Sequence, residues 1–172
     1  MLPILRRVPD RTVYIVRHAS AVARDAWPGS DALRPLSPRG WQQAVAIAEW
    51  LVDPAPAHFL SSPTVRCRDT LIPVAHRVGG AVVDEPLLAD LADSAVTADV
   101  LQVRMRRLLR VLAQVGAGPV AACSHGDTIP VLLRATGATG ELPCPKGGVW
   151  ELRLDAQGGV RSHRFLGRAG EG

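Results

Sequence analysis

The sequence predicts a three-layer α/β/α sandwich, in which helices cover both faces of a mixed, mostly parallel sheet. Short β-branched runs alternate with amphipathic helical stretches along the chain, which is the pattern of a parallel sheet with crossover helices. Two of the strands end directly at a histidine, and ligands of such folds bind outside the carboxyl ends of the strands. A length of 172 residues corresponds to about one domain, so residues 1–172 are expected to form one unit.

The first half of the chain contains three predicted strands and two predicted helices. Residues 12–16 (TVYIV) form a buried strand, and Ser37 and Pro38 begin a helix that ends near Val52. A short strand, a helix, another short strand and an acidic loop then follow at residues 58–60, 64–78, 81–83 and 84–93. Pro73 lies inside the second helix, where it is expected to kink or break it.

The second half continues the alternation and ends in a hairpin. Thr97 or Asp99 caps a helix that runs to Val115, and its exposed arginines at positions 104, 106, 107 and 110 are expected to form a solvated face. A strand at 120–123, a helix at 127–136 and a hairpin of 149–154 with 160–165 complete the prediction. Residues 1–10 are expected to be flexible and residues 166–172 to form a tail.

Composition excludes several classes of protein. No apolar run approaches the roughly 18–20 residues that span a bilayer, and the N-terminal residues lack the apolar core of a signal peptide, so a cytoplasmic protein is expected. Cys67, Cys123 and Cys144 are widely spaced and odd in number, which favours reduced thiols over a disulfide framework or a zinc knuckle. His125 and Asp127 lack a third metal ligand at a known spacing, so neither metal nor cofactor is predicted.

The basic charge of the chain is almost entirely arginine. The formal charge is +4, and Lys146 is the only lysine. Because a guanidinium binds phosphate oxygens two at a time, this composition is compatible with an acidic or phosphorylated partner. The aromatic content of 4%, without aromatic residues interleaved among basic ones, argues against nucleic-acid binding.

Three clusters of polar residues follow predicted strands and together suggest phosphoryl transfer. They are Arg17-His18, Arg66 after Ser62-Pro63, and His125-Gly126. Phosphoryl transfer needs a nucleophile, positive donors around the transferred oxygens and an acid for the leaving group. The sequence contains all three kinds of group, and the three clusters lie where predicted strands lead into loops or helices.

The motifs VYIVRHASA (13–21), SSPTVRCRDT (61–70) and CSHGDTIPVLL (123–133) resemble those of the histidine phosphatase superfamily, which has the phosphoglycerate-mutase-like fold. RPLSPRGWQQA (34–44) is similar to small bacterial phosphohistidine phosphatases and to domains fused to Nudix hydrolases. The resemblance implies a metal-independent phosphatase in which His18 forms a covalent phosphohistidine. It also implies that Arg17, Arg66 and His125 bind the phosphoryl oxygens.

The chain departs from the family pattern near the nucleophile and at the general acid. Ala19 stands where the family often has a Gly, and Ala21 stands where many members have a Ser or Thr. Asp90 stands where many members have a Glu two residues after a leucine. Asp90 is therefore the predicted acid, with Asp84, Glu85 and Asp93 as rivals. An imidazole leaves readily, so the missing Glu favours a phosphohistidine substrate.

The predicted substrate is a small phosphorylated molecule or a protein phosphohistidine, and no membrane partner is expected. Two alternatives stay open, a phosphosugar mutase of the same fold and a catalytically silent phosphate-binding domain. The complete set of His18, Arg66 and His125 argues against the silent domain. No oligomeric state is predicted.

Overall fold

The computed structural model describes residues 10–91 and 97–170, which contain six strands and four α-helices. The strands are β1 (Arg11–Arg17), β2 (His58–Ser61), β3 (Val82–Asp84), β4 (Val120–Ser124), β5 (Gly148–Leu154) and β6 (Val160–Arg168). The helices are α1 (Pro38–Trp50), α2 (Val65–Arg77), α3 (Ala98–Gln114) and α4 (Thr128–Ala135). Two short 3-10 turns lie at Asp31–Leu33 and Pro86–Leu88. None of the described helices is both long and apolar enough to cross a bilayer.

The sheet is mixed and mostly parallel, as predicted. Its strand order is β3-β2-β4-β1-β5-β6. The first four strands in that order are parallel, β5 runs antiparallel to β1, and β6 runs antiparallel to β5. The carboxyl ends of β1, β2 and β4 therefore lie side by side at one edge of the sheet.

Alternate side chains of the central strands enter two separate hydrophobic cores. Val13 and Ile15 of β1 pack with buried residues of α3 and α4, whereas Tyr14 and Val16 pack with those of α1 and α2. This separation follows from the two-residue period of a strand, which directs successive side chains to opposite faces. The result is the predicted three-layer sandwich.

The structure corrects three details of the sequence prediction. Pro73 does not break α2, because buried Leu71 and Val74 flank it and their packing outweighs the one backbone hydrogen bond that proline removes. The predicted loop at 84–93 contains the 3-10 turn Pro86–Leu88. The Glu85 side chain caps this turn by accepting a 2.9 Å hydrogen bond from the Leu87 amide. Strand β6 continues to Arg168, so the first three residues of the predicted tail belong to the strand, and Gly167 and Arg168 pair with β5. Of residues 1–10, which were expected to be flexible, 1–9 lie outside the described residues.

The start of α1 packs tightly against the loop that follows β1. Ser37 caps the helix by accepting a hydrogen bond from the Gly40 amide, and its hydroxyl donates to the Ser20 carbonyl. A Cβ atom on Gly40 would lie 1.9 Å from that carbonyl oxygen. Only glycine therefore fits at this contact.

Replacing Gly40 by alanine should destabilise the protein by about 2–3 kcal/mol, because the new Cβ forces α1 and the Ser20 backbone apart. In a freely packed helix the same change would stabilise by about 1 kcal/mol, so the sign of the effect is diagnostic. Urea unfolding of Gly40→Ala measures it. Gly79→Ala is the control, since its Cβ meets no atom within 4 Å and only its φ of +68° is strained. A Gly40→Ala variant as stable as wild type would contradict the contact.

Candidate active site

Three adjacent strand ends bring the polar clusters together. The His18 amide donates a 3.0 Å hydrogen bond to the Ser124 carbonyl, and the Ser62 amide donates one of the same length to the Cys123 carbonyl. The rings of His18 and His125 lie edge to face, with their centroids 5.4 Å apart. The two histidines that are far apart in sequence are therefore direct neighbours.

His18 is a buried, neutral histidine with a defined tautomer. Its Nδ1 lies 2.8 Å from the carbonyl oxygen of Ala19, which can only accept, so Nδ1 carries the proton and Nε2 keeps its lone pair. Burial is the largest cause that lowers the pKa of His18 from 6.5 to about 4, and the nearby His125 and Arg66 also lower it. At neutral pH the Nε2 atom is available as a nucleophile.

Helix α2 holds the backbone beside this histidine. The Ala19 amide donates a 3.0 Å hydrogen bond to the Thr70 hydroxyl, and that hydroxyl donates to the Arg66 carbonyl. Thr70 is completely buried, so water does not compete for these bonds. The same helix thus carries Arg66 and fixes the carbonyl that orients the His18 ring.

Arg17 and Arg66 each present a buried N–H without a hydrogen-bond partner among the described residues, at Nε in both cases. The Arg17 Nη1 donates to the Cys144 carbonyl, and the guanidinium lies so close to Gly126 that a Cβ there would be 2.6 Å from Cζ. Arg66, whose side chain is 3% exposed, donates from Nη1 to the Asp31 carbonyl at 2.7 Å. Unpaired buried donors of this kind are suited to an anion.

His125 lies between a hydroxyl and a charged pair. Its Nε2 is 2.8 Å from the Ser62 hydroxyl oxygen. Its Nδ1 is 3.5 Å from Nη2 of Arg66 and 3.9 Å from Oδ2 of Asp90. The ring is therefore positioned by β2 on one side and by the arginine and the carboxylate on the other.

The segment that carries Asp90 is fixed by hydrogen bonds to its backbone. Ser124 and Thr128 donate to the carbonyls of Leu88 and Ala89 at 2.6 and 2.9 Å. Arg104 of α3 donates to the carbonyls of Leu87 and Ala89, so this arginine is not part of a solvated face, contrary to the sequence prediction. Asp90 itself lies 3.4 Å from Nη2 of Arg66.

The rival acids lie elsewhere or are already engaged. Asp84 pairs with Arg68, and Glu85 caps the 3-10 turn. Neither residue lines the cavity that contains His18. Asp93 lies outside the described residues.

One cavity of about 310 Å³ contains all five residues that the sequence singled out, His18, Arg17, Arg66, His125 and Asp90. It is also lined by Arg24, Arg34, Gly126, Asp127 and Lys146. Within residues 10–91 and 97–170, no group of three or more His, Cys, Asp or Glu side chains is arranged to hold a metal ion. Cationic groups dominate the cavity, which is therefore suited to an anionic substrate.

Asp31 is a structural part of this site that the sequence analysis missed. Its carboxylate lies 2.8 Å from Arg34, 3.1 Å from Arg66 and 3.3 Å from Arg24. Burial alone would raise its pKa, but the Arg34 hydrogen bond and the three positive charges lower it below the usual range. The three-residue spacing from Asp31 to Arg34 was the available signal, although it could not reveal the contact with Arg66.

The chain belongs to the histidine phosphatase superfamily. The profile described as Histidine phosphatase superfamily (branch 1) matches residues 13–96, which include the Arg17-His18 and Arg66 motifs. The resemblance that the motifs suggested is thereby confirmed, together with the fold.

Individual relatives are named phosphatases. The 8-oxo-(d)GTP phosphatase of Mycolicibacterium smegmatis is 33% identical over 156 residues, which cover 88% of this chain but 47% of that protein, so the chain spans about half of it. The protein histidine phosphatase SixA complexed with tungstate has a TM-score of 0.65 and 23% identity, covering 90% of this chain and 93% of its own. A mycobacterial glucosyl-3-phosphoglycerate phosphatase with VO3 has a TM-score of 0.64 and a sequence identity of 22%. The match covers 92% of this chain and 99% of that structure.

Histidine NMR should show His18 neutral, with its proton on Nδ1, down to about pH 5, because its pKa is about 4. The unfolded chain would bind a proton near pH 6.5. Between about pH 4 and pH 6.5 the unfolded chain therefore binds more protons at His18 than the folded chain does. Protonation of His18 thus lowers the free energy of unfolding as the pH drops from about 6.5 to about 4. A titration of His18 near pH 6.5, or a proton on Nε2, would contradict the assignment.

Replacing Asp31 by asparagine should destabilise the fold by about 1–2 kcal/mol, because buried Arg66 loses the nearer of its two carboxylates and keeps only Asp90, at 3.4 Å. Inorganic phosphate should stabilise this variant more than wild type, since the cavity becomes more positive. Thermal and urea unfolding with and without phosphate provide the measurements. Asp25→Asn, an exposed carboxylate in the same loop, is the matched control and should change neither quantity.

Proposed function

We propose that this protein is a metal-independent phosphatase in which Nε2 of His18 accepts the phosphoryl group. The observation that carries the proposal is the combination of a neutral His18 of fixed tautomer with two buried guanidinium donors in the same cavity. A neutral imidazole can attack phosphorus, and preorganised cations stabilise the charge on the transferred oxygens. Membership of the histidine phosphatase superfamily supports the same chemistry.

In the first step the substrate's phosphoryl oxygens bind Arg17, Arg66 and His125. The bound phosphate dianion favours protonation of Asp90, which takes up a proton from solvent. Nε2 of His18 then forms a bond to phosphorus as the bond to the leaving oxygen breaks, and Asp90 transfers its proton to this oxygen. The Ala19 carbonyl accepts the Nδ1 hydrogen bond throughout, and so stabilises the positive charge that the ring gains. The phosphate dianion binds the guanidinium groups of Arg17 and Arg66, both of which line the cavity.

In the second step water attacks the phosphohistidine. The phosphorus–nitrogen bond breaks, inorganic phosphate forms and His18 returns to its neutral state. Asp90, now ionised, accepts the proton of the attacking water, which restores the acid for the next turnover. No redox or metal partner is needed to balance either step.

The substrate is a phosphomonoester or a phosphohistidine. The similar proteins are named for 8-oxo-(d)GTP, for protein histidine and for glucosyl-3-phosphoglycerate, so their names support no narrower class. A mutase would return the phosphoryl group to a second hydroxyl instead of water, and a silent domain would bind phosphate without turnover. The neutral nucleophile and a carboxyl group in the same cavity favour turnover over simple binding.

The decisive test is hydrolysis of p-nitrophenyl phosphate in the presence of EDTA, followed by mass spectrometry of acid-labile phosphohistidine. Wild type should turn over and carry the phosphoryl group on His18. His18→Ala should lose at least about 1000-fold in kcat/KM, since it removes the nucleophile. His76→Ala, an exposed histidine on α2, is the matched control and should keep wild-type activity.

Loss of activity in EDTA that Zn²⁺ or Mg²⁺ restores would contradict a metal-independent reaction. Activity retained in His18→Ala would contradict the covalent step. Absence of turnover across aryl, nucleotide, sugar and protein phosphohistidine substrates, with retained phosphate binding, would identify the silent domain instead.

A further inference from the structure

The cavity contains cationic side chains that the phosphoryl group does not need. Arg17 precedes His18 in the chain and the charge of Arg66 acts on the His18 ring, and these two arginines are assigned to the transferred oxygens. Arg24, Arg34 and Lys146 also line the cavity. About 310 Å³ is also more space than one phosphoryl group fills. Both features point to a second charged part of the substrate.

Arg34 is built into this part of the cavity. Its side chain is 11% exposed, and it donates from Nε to Asp31 and from Nη1 to the Val22 carbonyl, both at 2.8 Å. Within the described residues its Nη2 has no hydrogen-bond partner. The guanidinium is therefore held in place with one nitrogen left to bind a ligand.

Lys146 is placed by the backbone of its own loop. Its carbonyl oxygen accepts hydrogen bonds from Gln43 and Arg168, at 3.3 and 3.1 Å. The next amide, that of Gly147, donates to the Arg17 carbonyl at 3.2 Å. These contacts hold the lysine beside the end of β1, next to the nucleophile.

The Lys146 ammonium has no acidic partner within 4 Å in the described part of the chain. Burial lowers its pKa, and the positive charges of Arg17, Arg34 and Arg168 lower it further. Placing like charges together is unfavourable unless an anion joins them. A negatively charged group bound there would relieve the repulsion.

We propose that Arg34 and Lys146 form a second anion subsite, which selects compact substrates that carry a phosphate or carboxylate in addition to the transferred phosphoryl group. The inference rests on the proposed phosphatase function and narrows its substrate class. It favours small molecules with two anionic groups over a protein phosphohistidine, whose imidazole ring supplies no second anion.

The test compares kcat/KM for four substrates: phenyl phosphate, ADP, 3-phosphoglycerate and a phosphohistidine protein. Wild type should prefer ADP or 3-phosphoglycerate by at least about 10-fold to the two substrates whose only anionic group at the reacting centre is the transferred phosphoryl group. A factor of about 10 corresponds to the free energy of about one charge-assisted hydrogen bond. In Lys146→Met the preference should fall about 10-fold, and in Lys146→Glu further. Arg164→Met, which removes an exposed arginine on β6, is the matched control and should leave the preference unchanged.

The measurements with ADP and with 3-phosphoglycerate show whether the second anionic group is a phosphate or a carboxylate. A loss confined to ADP identifies a phosphate, a loss confined to 3-phosphoglycerate identifies a carboxylate, and a loss in both shows a general anion subsite. An unchanged preference in Lys146→Glu, or a phosphohistidine protein as the best substrate, would overturn the proposal.

Binding measurements keep this test independent of turnover. If wild type hydrolyses none of the four substrates, the phosphatase proposal fails, but the subsite still predicts tighter binding of pyrophosphate than of phosphate. Calorimetry should then show a difference of at least about 10-fold in wild type, and less in Lys146→Met. Equal affinities for the two anions would reject the subsite itself.

Discussion

The parallel pairing of β1 with β4 is the constraint on which the site depends. Its register places Arg17 opposite Ser124, and the hydrogen bond from the His18 amide to the Ser124 carbonyl extends the ladder one residue further. A slip of one residue would exchange the two faces of β1 and send its core side chains into the wrong layer. The hydrophobic cores therefore enforce the register that makes His18 and His125 neighbours.

Concentrating guanidinium groups at one sheet edge creates a problem that the loop after β1 solves. A buried arginine is costly without a partner, and Arg66 is almost fully enclosed. Asp31 provides the carboxylate, and it also binds Arg24 and Arg34 at the rim. One loop residue thus connects the charge of the phosphoryl site to that of the proposed second subsite.

Much of this architecture could be predicted because it follows from local periodicity. Strand ends, helix caps and the three motifs lie in the sequence itself, and the structure brings His18, Arg17, Arg66, His125 and Asp90 into one cavity. Long-range contacts could not be read in the same way. Asp31 contacts Arg66, which lies 35 residues further along the chain. Arg104 of α3 donates to a backbone carbonyl next to Asp90. Helix α2 continues past Pro73 because its buried side chains pack against the sheet.

The site combines groups that each reduce stability with an arrangement that suits phosphoryl transfer. An unpaired buried N–H costs about 1–3 kcal/mol, and the Nε atoms of Arg17 and Arg66 have no hydrogen-bond partner within residues 10–91 and 97–170. The lowered pKa of His18 limits the positive charge in the cavity and leaves a lone pair on Nε2. The burial that makes protonation unfavourable thus also creates the nucleophile. Since these groups are fixed before a phosphoryl group arrives, little reorganisation accompanies the reaction, which is how electrostatic preorganisation lowers a barrier.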